Sequence, residues 1–257
     1  MLNRSAKEQR TIVVGDIHGC YDELMVLLSD IDFGKGDQVV AVGDLIVKGP
    51  KDRQVLDLFI SDNRFSSVIG NQDLAVLRSW RGENPNLTAA QRRTCDELEL
   101  NRERYCAYLS SLPLMLDLGL HVVVHAGVRP GVALEEQLAD DLLELRTLGT
   151  NRASRKGTPW YDVYTGDKIV LFGHWPSREP RIGPRAIGLD TGCVYGNRLT
   201  ACIVETGELV SVSAKTAYRR LARELGRDQE LRRPTVRIET PEATTHSAQS
   251  STESIQT

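Results

Sequence analysis

Several features that would each point to a protein class are missing from this 257-residue chain. Its five cysteines (Cys20, Cys95, Cys106, Cys193 and Cys202) are odd in number and contain no CxxC pair. The spacing therefore suggests neither a disulfide framework nor a thiolate zinc site, and a reducing cytoplasm fits best. No stretch reaches 18 apolar residues, and the N-terminal MLNRSAKEQR is polar where a secretory signal needs an apolar run. Neither export nor a membrane span is expected. There is no basic excess: 32 Lys plus Arg against 35 Asp plus Glu leave a formal charge of −3, which argues against a DNA-coating protein. Histidine is scarce at five, so where the five fall carries information. The remaining composition, 40% hydrophobic and 26% charged, is ordinary for a globular protein with a substantial core.

The first third repeats one pattern, a β-branched run, then Gly with a polar residue, then a segment of helical periodicity. Thr11–Val14 precedes GDIHG at 15–19, Val39–Val42 precedes GD at 43–44, and Ser67–Ile69 precedes GNQD at 70–73. Between them, Asp22–Ile31 places Leu24, Leu27, Leu28 and Ile31 on one face, and Asp52–Ile60 does the same with Val55, Leu56, Phe59 and Ile60. Strands alternating with helices predict βαβ units and a largely parallel sheet. Asp16, Asp44 and Asn71 are 28 and 27 residues apart, about one βα unit each, so all three leave successive strands at the edge where α/β proteins place ligands. A single Gly-Asp after a strand is usually only a turn. Three in succession, each with a metal-competent side chain, favour a site.

Residues 74–112 read as mostly helical with a loop at Gly82–Asn86, and their weak apolar periodicity predicts a helical insertion beside the active edge rather than a part of the core. A solvated helical face is the competing reading. Two further apolar runs, His121–Val124 and Ile169–Phe172, end in HAG at 125–127 and GHW at 173–175. Ala186–Leu189, Leu199–Val204 and Leu209–Val212 read as antiparallel strands, with DTG at 190–192 and a tight hairpin turn at YGNR, 195–198. The predicted domain spans 11–215, after a short arm over 1–10. From 216 to 257 a basic stretch, with seven arginines between Arg219 and Arg237, gives way to Thr, Ser, Glu and Gln, a composition that predicts a largely disordered tail.

Three of the five histidines, His18, His125 and His174, sit at predicted strand ends, whereas His121 lies inside a strand and His246 in the tail. The three imidazoles with Asp16, Asp44 and Asn71 make a mixed nitrogen and oxygen set suited to Mn, Fe, Co or Zn rather than Mg or Ca. Six ligands exceed one tetrahedral ion with an open position but suffice for two ions sharing a carboxylate, an arrangement that activates water and clamps a phosphoryl group.

At this point a resemblance becomes specific. GDIHG, GDLIVKGP at 43–50, GNQD, HAGVRPG at 125–131 and FGHW at 172–175 resemble, in order, the motif set of the phosphoprotein-phosphatase branch of calcineurin-like metallophosphoesterases. GDIHGCYDEL, GNQDLAVL and LDTGCVYGNRLTA are most similar to bacterial symmetrical diadenosine tetraphosphatases, and related protein phosphatases share much of the wording. The resemblance implies an α/β fold of four layers, two mixed sheets between helices, with two divalent metal ions, manganese foremost and Co, Zn or Fe as alternatives. It implies that Asp16 and His18 hold the first ion, Asp44 bridges, and Asn71, His125 and His174 hold the second. Gln72 and Asp73 of the third motif stand at the catalytic position, Lys48 where the family usually has a phosphate-gripping arginine, and Arg129 as a second candidate for phosphate or for a surface role.

Gln72 stands where the family has a histidine held to protonate the leaving group, and Val47 stands where protein phosphatases have an aspartate orienting it. An amide is no acid near neutral pH. Both departures weaken the protein-phosphatase reading. A nucleoside diphosphate leaves as a stable anion, whereas serine leaves as an alkoxide needing a proton. The leading expectation is therefore hydrolysis of diadenosine tetraphosphate to two ADP. The alternatives are a Ser/Thr protein phosphatase with impaired turnover and a non-catalytic sensor of metal and nucleotide, and an RNA cap in place of the dinucleotide stays open.

Overall fold

The β-branched runs form strands close to where the sequence places them. β1 (Thr11–Val14) leads through the GDIHG loop into α1 (Tyr21–Asp30), β2 (Gln38–Ala41) into α2 (Asp52–Ser61), and β3 (Phe65–Ser67) into α3 (Asn71–Trp80). β1, β2 and β3 pair in parallel. The structure, a computed structural model, describes residues 9–83 and 86–220. Most of the arm expected over 1–10, His246 and most of the tail expected over 216–257 lie outside the described residues.

After α4 (Ala89–Leu98) and α5 (Arg102–Ser111) the chain builds a second sheet from β4 (Met115–Asp117) and β5 (His121–Val124), and continues through α6 (Ala139–Glu144) and α7 (Trp160–Val163) to β6 (Ile169–Phe172), β7 (Arg181–Gly183) and β8 (Ala186–Gly188). β9 (Arg198–Ile203) and β10 (Glu208–Ser213) then return to the first sheet. The orders are β10-β9-β1-β2-β3 and β4-β5-β6-β8-β7.

Alternation along each strand distributes its side chains to two buried faces. Ile12, Val14, Val39 and Ala41 join Leu24, Leu27, Val55 and Leu56 of α1 and α2. Val13 and Val40 instead meet Val123, Leu171 and Ile187 of the other sheet. On its far side, Val122, Val124, Val170 and Phe172 pack with Leu142 of α6 and Trp160 and Tyr161 of α7. The layers run helix, sheet, sheet, helix, the sandwich the resemblance implies. Burial on both faces explains the unbroken Val and Ile runs.

Three expectations need correction. The helices over 74–112 do not lie beside the core: Val76, Leu77 and Trp80 of α3, Leu98 of α4, and Tyr105 and Leu109 of α5 belong to the main buried cluster. Their apolar positions are few but large, so counting periodic matches underrated them. The strand at 186–189 is not antiparallel to its successors. β8 pairs in parallel with β6 and antiparallel with β7, in the other sheet. YGNR is accordingly no hairpin turn: Cys193–Tyr195 form a 3-10 turn that carries the chain between sheets, and the hairpin lies between β9 and β10. The start of the expected tail is also tied down, since the Lys215 N–H and Tyr218 hydroxyl donate to Glu23 and the Arg219 N–H to the Val194 carbonyl.

Candidate functional site

The six proposed metal ligands come from both sheets. Asp16 and His18 follow β1, Asp44 follows β2, Asn71 opens α3, and His125 and His174 follow β5 and β6. The facing sheets bring these strand ends together: the His174 N–H donates to both Asp16 oxygens at 3.0 and 3.2 Å, and the Gln72 N–H donates to Asp44 Oδ1 at 2.8 Å. His125 Nε2 lies 3.0 Å from Asn71 Oδ1 and 3.5 Å from Asp44 Oδ1, and His174 Nδ1 lies 3.3 Å from the same Asn71 oxygen. His18 Nε2 lies 3.5 Å from Asp44 Oδ2 and 3.9 Å from Asp16 Oδ2. All but Asn71 are buried.

The motif glycines let the strand ends approach this closely. A Cβ on Gly70 would overlap the Asp44 amide and carboxylate, and one on Gly173 would overlap Asp16 Oδ1. Strain is concentrated here as well. His18, Asp44, Val47, Lys48 and His174 are five of six non-glycine residues with positive φ among the described residues, a conformation that a β-branched side chain such as Val47 rarely adopts. Two buried carboxylates hold the 44–48 loop in that shape. Asp73 accepts from the Leu45 and Ile46 amides at 3.2 Å each, and Asp52 accepts from the Val47 amide at 3.1 Å.

The residues fit a bound cation by the chemistry of their donor set. His18 Nδ1 faces the Ile46 carbonyl at 3.2 Å and His125 Nδ1 the Val42 carbonyl at 2.9 Å. Carbonyls only accept, so each Nδ1 carries the proton and each Nε2 is a bare lone pair. Burial holds all three imidazoles below their ordinary range, His125 at about 4, so they stay neutral. The His125 Nε2 lone pair faces amide and carboxylate oxygens, acceptor against acceptor. That of His18 faces the Asp16 and Asp44 carboxylates beside the Lys48 ammonium, and the buried His174 Nε2 has no partner among the described residues. Such convergence is the arrangement a divalent ion requires. The carboxylates carry the matching signature. Burial, with Asp190 and Asp44 nearby, raises Asp16 well above its usual range, and burial pushes Asp44 and Asp190 up to about 6.

Asp190, from the DTG at 190–192, was missed by the sequence reading because it looked like turn chemistry. The structure buries it at the site, anchored by the Gly192 N–H at 3.1 Å. Lys48 sits within the cluster itself, its Nζ 2.8 Å from His18 Nε2 and 5.7 Å from the centre of the Tyr195 ring. Burial works against its charge, but Asp44, Tyr195, Asp16 and Asp190 outweigh that and raise its pKa.

Two expected site residues are placed differently. Arg129 is engaged by Asp141, at 2.6 and 3.0 Å to its two oxygens, because the 125–131 loop turns it onto α6. Arg146 is the arginine near the site instead. Burial lowers its pKa, with Asp190 and Tyr195 acting in the opposite direction, it influences Asp44 and His174, and its Nε is buried without a partner. Nothing in the local sequence marked it. Asp73 is not presented for chemistry, since a third amide, from Gly70 at 3.1 Å, completes its role as a loop clamp. Gln72 does line a cleft of about 390 Å³, with Asn71, Arg78, Gln91, Asp140 and Glu144.

A separate buried group forms under α1, where ligand atoms of Cys20, Glu23 and Cys193 lie within 4.8 Å of one another. Cys20 and Cys193 are 173 residues apart in sequence, which no spacing rule could have joined, and both are free thiols.

Residues 9–208 match the calcineurin-like phosphoesterase family. The chain is 31% identical over 232 residues to an asymmetrical bis(5'-nucleosyl)-tetraphosphatase PrpE of Anoxybacillus flavithermus, covering 80% of this chain and 95% of the relative. It is 29% identical over 265 residues to a symmetrical bis(5'-nucleosyl)-tetraphosphatase of Vibrio parahaemolyticus, covering 79% and 98%. A crystal structure described as a candidate diadenosine tetraphosphatase superposes with a TM-score of 0.68 at 32% identity, covering 80% of this chain and 94% of that one. With the family matched across both sheets and all six proposed ligands inside the matched span, the chain belongs to the calcineurin-like phosphoesterases.

Proposed function

We propose that this metallophosphoesterase cleaves phosphoanhydrides, with dinucleoside polyphosphates such as diadenosine tetraphosphate as substrates. The observation that carries the reading is the joint placement of an acceptor-rich pocket, two cations and an amide at the acid position. Asp16, His18 and Asp44 would hold one divalent ion, manganese in the first instance, and Asn71, His125 and His174 would hold the other, with Asp44 shared. Ions bound there would supply Lewis-acid stabilisation of phosphoryl oxygens and activation of the attacking water. The chain itself contributes the rest. Lys48 and Arg146 offset the charge that develops on the transferring phosphoryl group. The cleft beside Gln72 has a volume in the range of small-ligand sites.

Gln72 supplies no proton, and Val47, buried and apolar, could not orient an acid if one were present. Absence of a general acid costs about 10²–10⁴-fold where the leaving group needs protonation, so the site suits a nucleotide leaving group far better than a seryl one. The free thiols fit a reducing compartment, and no helix among the described residues is long and apolar enough to cross a membrane.

The test is incubation with Mn and a panel of dinucleoside polyphosphates, a capped RNA and a phosphopeptide, followed by chromatography of the products. Two ADP from diadenosine tetraphosphate would establish the symmetrical cleavage expected from sequence, and AMP plus ATP the asymmetrical type. Faster turnover of the phosphopeptide would replace the proposal with a protein phosphatase, and tight nucleotide binding without turnover with a sensor.

A further inference from the structure

A chain of hydrogen bonds from a helix N-terminus fixes which end of the Gln72 amide faces the cleft. The Thr88 backbone N–H can only donate, and it donates to Gln91 Oε1 at 2.8 Å, joined by the Thr88 hydroxyl at 3.0 Å. The Gln91 N–H returns to Thr88 Oγ1 at 3.3 Å, closing the capping box of α4. With its oxygen committed to Thr88, Gln91 presents its NH2 on the other side, where it donates to Gln72 Oε1 at 3.0 Å. The Gln72 oxygen is thereby turned toward α4. That leaves the NH2 as the end of the amide not engaged by Gln91, with no hydrogen bond from it to a described residue.

We propose that Gln91 is a positioning residue that holds the Gln72 NH2 toward the bridging oxygen of the scissile anhydride, making Gln72 a hydrogen-bond donor to the leaving group that transfers no proton. This rests on the anhydride reading above. A departing nucleoside phosphate gains negative charge on its bridging oxygen, and a fixed donor stabilises that charge without ionising near neutral pH. An unpinned amide would also present its oxygen, which repels the same charge. Gln91 is 93% buried, at 7% exposure, and it lines the cleft beside Gln72. The orienting task that an aspartate at position 47 would perform for a histidine is performed for the amide from α4.

Gln91→Glu reverses the relay while keeping the fold. Glutamate is a natural capping-box partner and still accepts from the Thr88 amide, but its second oxygen also accepts, so the Gln72 NH2 must turn toward it. With diadenosine tetraphosphate and Mn at pH 8, kcat should fall about 10²-fold, the effect of losing one donor at developing charge, while KM stays within about threefold. Relative to wild type at each pH, the loss should shrink as acid protonates the new carboxyl, because a carboxylic acid can donate to Gln72 again. Gln91→Leu, which unpins the amide without reversing it, should cost about tenfold or less. Independently of turnover, inorganic phosphate should shift the Gln72 side-chain amide resonances in the wild type and not in Gln91→Glu. Wild-type kcat in Gln91→Glu, or a raised KM alone, would overturn the proposal. An intact phosphate-induced shift in a protein that hydrolyses no anhydride would instead overturn the anhydride reading and leave the Gln72 contact standing.

Discussion

Asp52 opens α2 with a fully buried carboxyl, accepting from the Val47 amide at 3.1 Å and the Thr94 hydroxyl at 2.6 Å. Burial raises its pKa to about 7, with Glu97 adding to the rise and the Thr94 and Val47 bonds opposing it. In the unfolded chain it titrates near 3.9. A carboxyl raised on folding contributes stability that is fully present below the unfolded pKa and is lost as pH rises through the folded one, so the window runs from about pH 4 to pH 7. The gap of about three units, at 1.36 kcal/mol each, sets a ceiling of about 4 kcal/mol. That is a large part of the 5–15 kcal/mol typical of a domain.

Asp52→Asn removes this penalty and keeps an acceptor for the Val47 amide. At pH 5 both native side chains are neutral and similar in shape, but the unfolded Asp52 is already ionised about one unit above its pKa, so the variant should be ahead by only about 1.5 kcal/mol. At pH 8 the variant should be ahead by about 3–4 kcal/mol. Urea unfolding of the metal-loaded proteins at pH 5, 6, 7 and 8 checks this, and taking the difference between variants cancels the titration of Asp16, Asp44 and Asp190, which both share. A difference that does not change with pH, or a variant less stable at pH 8, would refute the burial argument.

Lys48→Ala should lower turnover or raise KM while leaving metal content unchanged, because an ammonium cannot ligate; unaltered kinetics would reduce Lys48 to a loop residue. Gly173→Ala puts a methyl into Asp16 Oδ1 and should weaken metal affinity about 10–100-fold with little loss of helical circular dichroism, checked by metal titration. Gln72→His should raise hydrolysis of an alkyl phosphate by about 10²-fold or more, and diadenosine tetraphosphate far less, at equal metal occupancy. Equal gains on both substrates would mean that position 72 acts through the metals or the fold.

The proposed ligand set was legible because its members stand just past strand ends, where a β-branched run gives way to a glycine with a polar residue or, at His125, directly to the polar residue. Local pattern carries that information. Arg146, Asp190 and Gln91 were not legible, because only tertiary packing sets Arg146 near Asp44, Asp190 near Asp16, and Gln91 against an amide 19 residues away. Lys48 and Arg129 looked alike as loop cations, and what separates them is Asp141, buried in α6 and waiting for the arginine. The misplaced β8 has the same origin: three residues of β-branched and small side chains cannot report which of two sheets they join, and β8 found its parallel partner in β6, upstream of β7, while β7 lies antiparallel across the turn.

A two-ion centre with Asp44 shared is tested most directly by elemental analysis of the purified, Mn-loaded protein. Two ions per chain are predicted for the unmodified protein, with the occupancy of both reduced in Asp44→Asn. One ion per chain in the unmodified protein, or an Asp44→Asn variant that still binds two at full occupancy, would contradict the account.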